Sequence, residues 1–138
     1  MARYFLDENL GRSVESILRN AGFDVVTSRG LGMIGMADIE WIPRVAALGR
    51  VIITADSRIR LVPAEKAAVT TAVARLITVK VNKAATVRDV ANNVVNSRAL
   101  LERFIAKNAA PWIVSLSMPN ERDYALGRPG RLSQNKLG

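Results

Sequence analysis

The apolar positions of this chain fall into short blocks that switch between helical and strand spacing, which predicts the two kinds of element in alternation. Tyr4 to Leu6 reads as a short buried strand ending in Asp7, Glu8 and Asn9. Val14, Ile17, Leu18 and Ala21 then recur at helical spacing, with Ser13 as the expected N-cap and Gly22 as the stop. Phe23 to Thr27 is a second strand, and a loop carrying Gly30, Gly32 and Gly35 leads to Asp38, where a helix with Ile39, Ile42, Val45 and Ala46 begins. Pro43 limits that start, because proline fits a first turn and kinks a helix further in. Val51 to Ala55 is the clearest strand and ends at Asp56. Pro63 suits the first turn of a helix to about Thr71, and Arg75 to Val81 alternates as a fourth strand. A box-like Thr86 and Asp89 pair opens the longest helix, with Val87, Val90, Ala91, Val94, Leu101 and Ile105 on or near one face. Trp112 to Leu116 is the last strand expected.

Strands alternating with helices imply right-handed crossovers and a mainly parallel central sheet flanked by helices, a single α/β domain over residues 1–117. From Met118 the Gly, Pro, Asn, Ser and Arg content predicts a basic, flexible C-terminal tail, 118–138, or an arm that orders on a partner. In an open sheet of this kind, ligands collect beyond the carboxyl ends of the strands. Asp7 and Asp56 lie just past two such ends, and Asp38, at the loop-to-helix junction, is expected on the same rim. Each acid alone is an ordinary turn or cap residue. Together they repel one another unless a cation or basic neighbours such as Arg58 and Arg60 compensate.

Composition narrows the chemistry. The chain has 138 residues, 49% hydrophobic and only 5% aromatic, so one core of Val, Ile, Leu and Ala is expected. With no histidine and no cysteine, a Ser-His-Asp triad, a thiol nucleophile, an imidazole pair and an ordinary zinc site are excluded. Carboxylates remain, and hard oxygen ligands suit Mg2+ or Mn2+ acting on phosphate. The net charge is +8, all of it in residues 66–138, while residues 1–65 balance to zero. A polyanionic partner is expected, nucleic acid ahead of an acidic protein. No apolar run is long enough to cross a bilayer, and MARYFLDENL reaches charge too soon for a signal peptide, which gives a cytoplasmic expectation with no membrane partner.

The segments FLDENL, DIEWIP, IITADSRIRLVPAEKAAV and APWIVSL resemble the PIN-like ribonucleases, specifically the VapC-type toxins of toxin-antitoxin pairs, over about residues 3–117. The resemblance implies a PIN-like fold and a Mg2+- or Mn2+-dependent endoribonuclease that hydrolyses RNA phosphodiester bonds. It also implies a cognate antitoxin protein as partner, and leaves a homodimer open. Position by position it implies catalytic, metal-binding acids at Asp7, Asp38 and Asp56. Thr54 or Ser57 would orient ligands or phosphate, and Arg58 and Arg60 would face substrate. A fourth acid would be Glu40 or Glu65, although Glu65 could instead pair with Arg60. Ala55 and Ser57 stand where relatives often carry Lys. Two rivals stay open: a receiver-like phospho-acceptor module, with Lys80 or Lys83 beside the acceptor Asp, and a degenerate PIN-like domain that binds RNA or protein without cutting. Trp41, Trp112 and Phe104 are expected in the core, and Tyr124 is the candidate for stacking on bases.

Overall fold

The computed structural model describes residues 2–81 and 84–137, with every side chain in them except that of Ser57. The chain runs β1 (Arg3–Leu6), α1 (Gly11–Asn20), β2 (Asp24–Thr27), α2 (Asp38–Ala47), β3 (Val51–Thr54) and α3 (Pro63–Ala72). It continues through β4 (Arg75–Val79), α4 (Val87–Asn96), α5 (Arg98–Lys107), β5 (Trp112–Ser117), α6 (Glu121–Ala125) and β6 (Arg131–Asn135). Short 3-10 turns, Glu8–Leu10 and Ser57–Arg60, follow β1 and β3.

The strands form one sheet in the order β2-β1-β3-β4-β5-β6, parallel throughout except for the antiparallel β5–β6 pair. This is the α/β architecture expected from the alternation. Parallel strands covered on both faces read as continuous apolar runs, and β3, with Val51, Ile52, Ile53 and Thr54 all buried, is the clearest case. Successive residues point to opposite faces. Tyr4, Leu6, Ile53, Ile77 and Val114 pack against α1, α4 and α5, while Phe5, Ile52, Leu76 and Ile113 pack against α2 and α3. The chain goes from β1 to β2 on one side and then crosses back to β3 on the other. The carboxyl ends of β1 and β3 therefore flank the point where strand order reverses, which is where such sheets open a crevice.

Several expected boundaries moved. Helix α1 starts at Gly11, with Leu10 at the cap position and no side-chain cap, so Ser13 lies inside the helix. Gly11 has φ 78, which favours glycine where the 3-10 turn runs directly into the helix. Pro43 lies in the interior of α2 and not in its first turn. Strand β4 stops at Val79, with Leu76 to Val79 buried in succession where alternation was expected. The Thr86–Asp89 capping box forms with both of its bonds, but the long helix it opens breaks at Ser97 into α4 and α5.

Past Met118, where composition suggested a basic tail, α6 and β6 follow. Strand β6 pairs with β5 from Ile113↔Asn135 to Ser117↔Arg131, and Leu132 packs on the core. Gly130 is buried, and its N–H donates to Ser97 Oγ at 2.9 Å. The hydroxyl of Tyr124 donates to Asp89 Oδ1 at 2.7 Å, which ties the expected stacking residue to α4. Among the described residues no helix is long and apolar enough to cross a membrane.

A Cβ on Gly130 would overlap the Ser117 carbonyl and crowd the Asn93 amide. Gly130→Ala is therefore expected to cost about 1–3 kcal/mol, as overpacking does, measured by denaturant unfolding. A loose tail would tolerate the change without loss.

Candidate active site

The site grows from the register of two strands. Leu6 pairs with Ile53, and the Asp7 N–H continues the ladder to the Ile53 carbonyl at 3.0 Å, so Asp7 emerges beside Thr54. Both are buried, Asp7 to 8% exposure and Thr54 to 0%. A buried carboxylate must be hydrogen-bonded. Thr54 Oγ1 donates to Asp7 Oδ2 at 2.8 Å, and the Glu8 N–H donates to Oδ1 at 2.8 Å. The lone pairs of the same hydroxyl accept the Asp56 N–H at 3.0 Å and the Asn9 amide at 3.4 Å. One threonine thus fixes both rim acids.

Asp56 caps the turn that follows β3, its Oδ1 accepting the Arg58 N–H at 2.9 Å. Arg58 also folds back on it, Nε donating to Oδ1 and Nη2 to Oδ2, each at 3.0 Å. Asp38 is the first residue of α2, and its Oδ1 accepts the Trp41 indole N–H at 2.8 Å. Trp41 in turn packs on Phe5 of β1, ring centroids 5.3 Å apart. Glu65 comes from the first turn of α3.

These segments enclose a cavity of about 390 Å³ lined by Asp7, Asn9, Asp38, Trp41, Asp56, Arg58 and Glu65 among others. Its carboxyls are driven apart in acidity. Burial lifts Asp7 above the usual carboxylate range, against the bonds from Thr54 and Glu8, and the charge of Asp38 adds to the rise. Burial also raises Glu65, helped by the hydrogen bond that its protonated form donates to Asp38 and by repulsion from the Asp38 charge. Asp56 is lowered, chiefly by its hydrogen bonds from the Arg58 side chain.

Of the residues expected here, Asp7, Asp38, Asp56, Glu65 and Arg58 meet on this cavity. Thr54 is the buried post beneath it. Glu40 is exposed on α2 and away from the cavity lining. The Arg60–Glu65 pairing is not the contact found, since Arg60 Nε and Glu65 Oε2 are both buried without a hydrogen-bond partner. Ser57 opens the second 3-10 turn, but its side chain lies outside the described residues, as does Lys83. Lys80 follows β4 and does not line the cavity. Two residues escaped sequence reasoning: Asn9, whose carbonyl also accepts the Ala55 N–H at 3.3 Å, and Trp41 as the partner of Asp38. The polar Asn directly after an acidic strand end was the one available signal for the first.

The donor chemistry fits a hard divalent cation: carboxylate oxygens converge on one cavity, and an oxygen of Glu65 is left without a partner. As the side chains stand, no group of three or more acids among the described residues is arranged to hold one ion. Asp56 is engaged by Arg58 and Asp38 by Trp41.

A family model described as a PIN like domain matches residues 2–80. No curated protein and no solved structure matches the chain.

Replacing Thr54 by Val removes a donor and an acceptor from a buried cluster and is expected to cost about 1–3 kcal/mol for the groups left unpaired. Thr54→Ser should stay near wild type in the same denaturant titration. Equal losses in the two variants would show that packing, not the hydroxyl, matters at this position.

The pH dependence of Asp7 has a definite sign. A carboxyl raised in the folded state penalises folding at pH above its folded value, and the penalty disappears below the ordinary value of about 4. Stability of Asp7→Asn relative to wild type, measured without metal, should therefore rise as pH increases through and above that range. A difference independent of pH would show that the Asp7 charge is not strained.

Proposed function

The chain belongs to the PIN-like domain family, and from that premise we propose that it is a Mg2+- or Mn2+-dependent endoribonuclease acting in the cytoplasm as the toxin of a type II toxin-antitoxin pair. The observation that carries the nuclease reading is the convergence of Asp7, Asp38, Asp56 and Glu65, from four separate segments, on one cavity at the strand-order switch. Crowded carboxylates of this kind favour a cation among them. The excess of basic residues in 66–138 supports an RNA partner. The toxin assignment and the cognate antitoxin rest on the resemblance of FLDENL, DIEWIP and the segment from Ile52 to Val69 to the VapC-type toxins.

In this reading the four carboxylates hold one or two ions. Bound there, the cation supplies an activated water and offsets charge on the leaving oxygen. Thr54 keeps Asp7 oriented without adding charge, and Glu65 brings to the cavity a carboxylate oxygen that has no partner of its own. Arg58 stands where a guanidinium can pair with substrate phosphate. A receiver-like module is disfavoured, because among the described residues no lysine, Lys80 included, lines the cavity beside an acceptor Asp.

Purified protein is expected to cleave RNA with added Mg2+ or Mn2+ and to stop on chelation. Asp56→Asn should reduce the rate on the order of a hundredfold or more, with its circular dichroism unchanged. Asp7→Asn and Asp38→Asn should behave alike, and combinations should cost much less than the sum. Cleavage that survives chelation would sink the metal mechanism. Lack of cleavage by the wild type, together with RNA binding, would favour the degenerate reading.

A further inference from the structure

We propose that Arg58 is the resident counter-cation of this site: it must release Asp56 before a divalent ion can be held, and once released it grips the substrate phosphate. The proposal rests on the nuclease reading and deepens it. Of the three aspartates, Asp7 and Asp38 are held by uncharged donors, Thr54 with a backbone N–H, and Trp41. Asp56 alone of the three is held by a cation, through both carboxylate oxygens. A fork of this kind occupies, in the carboxylate plane, the lone pairs that a metal ion needs.

Release is built into the local geometry. The Arg58 side chain is 76% exposed against 12% for that of Asp56, so the guanidinium can swing out into water while the carboxylate stays in place for a divalent ion. Asp56 would not lose its orientation, because the Arg58 backbone N–H continues to cap Oδ1 at 2.9 Å whatever the side chain does. Rotation of the arginine frees Oδ2 and leaves a guanidinium at the mouth of the cavity, with its donors open to a phosphate.

The test compares the full-length wild type with Arg58→Gln and Arg58→Lys, measuring Mn2+ binding by calorimetry or electron paramagnetic resonance. Binding of an RNA oligonucleotide is measured separately in Ca2+, and thermal unfolding checks the fold. Arg58→Gln should bind Mn2+ on the order of tenfold more tightly, the size of an ordinary coupling between sites, and should bind RNA on the order of tenfold more weakly. Arg58→Lys, which keeps the charge and loses the fork, should fall between wild type and Arg58→Gln in both. A purely structural pair predicts unchanged or weaker Mn2+ binding in Arg58→Gln, and that result overturns the latch while leaving the metal site standing. Absence of Mn2+ binding in the wild type and both variants overturns the nuclease reading and the latch with it.

Discussion

A carboxylate buried at the end of a parallel strand has to find donors, and the way Asp7 finds them organises the rest of the site. The ladder between β1 and β3 places Thr54 at its side. A hydroxyl can donate once and accept twice. Its proton goes to Asp7, and its lone pairs take the Asp56 N–H and the Asn9 amide. Register, turn and acid positions are therefore one constraint: a slip of one residue would turn Thr54 to the opposite face and leave Asp7 buried without its side-chain donor. The hydrophobic faces of β1 and β3 enforce the register, so core packing fixes the spacing of the rim acids.

The cavity carries more negative charge than its immediate surroundings neutralise. Burial and mutual repulsion raise Asp7 and Glu65, while the Arg58 pair lowers Asp56. Such a separation of acidities is how a group of like residues comes to hold different roles. The same crowding without a cation is a cost to folding, partly offset by the donors around Asp7.

Most of the architecture was legible because parallel strands buried on both faces must be apolar, and β1, β3 and β5 announced themselves that way, while the edge strand β2 showed itself by Val25 and Val26. Asp7 and Asp56 were legible because they follow two of those runs, and Asp38 because it opens a helix. What escaped depends on partners distant in sequence. The break at Ser97 sits where the hydroxyl takes the Gly130 N–H, a contact across more than thirty residues that no periodicity carries. Strand β6, RLSQN, has a single apolar residue, since an edge strand is held mainly by backbone pairing to β5. Pro43 inside α2 runs against local rules, and tertiary packing of Trp41, Ile42 and Val45 outweighs them. The choice between Glu40 and Glu65 needed the rotation of two helices about the sheet, which spacing alone does not supply.

Turn chemistry and active-site chemistry are not competing explanations of Asp7 and Asp56. Each acid spends one oxygen, Oδ1, on the N–H groups that shape the 3-10 turn after its strand. The turn therefore fixes the orientation of the carboxylate, and the second oxygen is left to define its character. For Asp7 that oxygen meets a buried neutral hydroxyl, which is permanent because Thr54 has nowhere else to go. For Asp56 it meets an exposed guanidinium, which can leave. These two acids share one local motif but differ in exchangeability, so on the proposed function Asp7 would be the fixed ligand of the site and Asp56 the one whose partner changes.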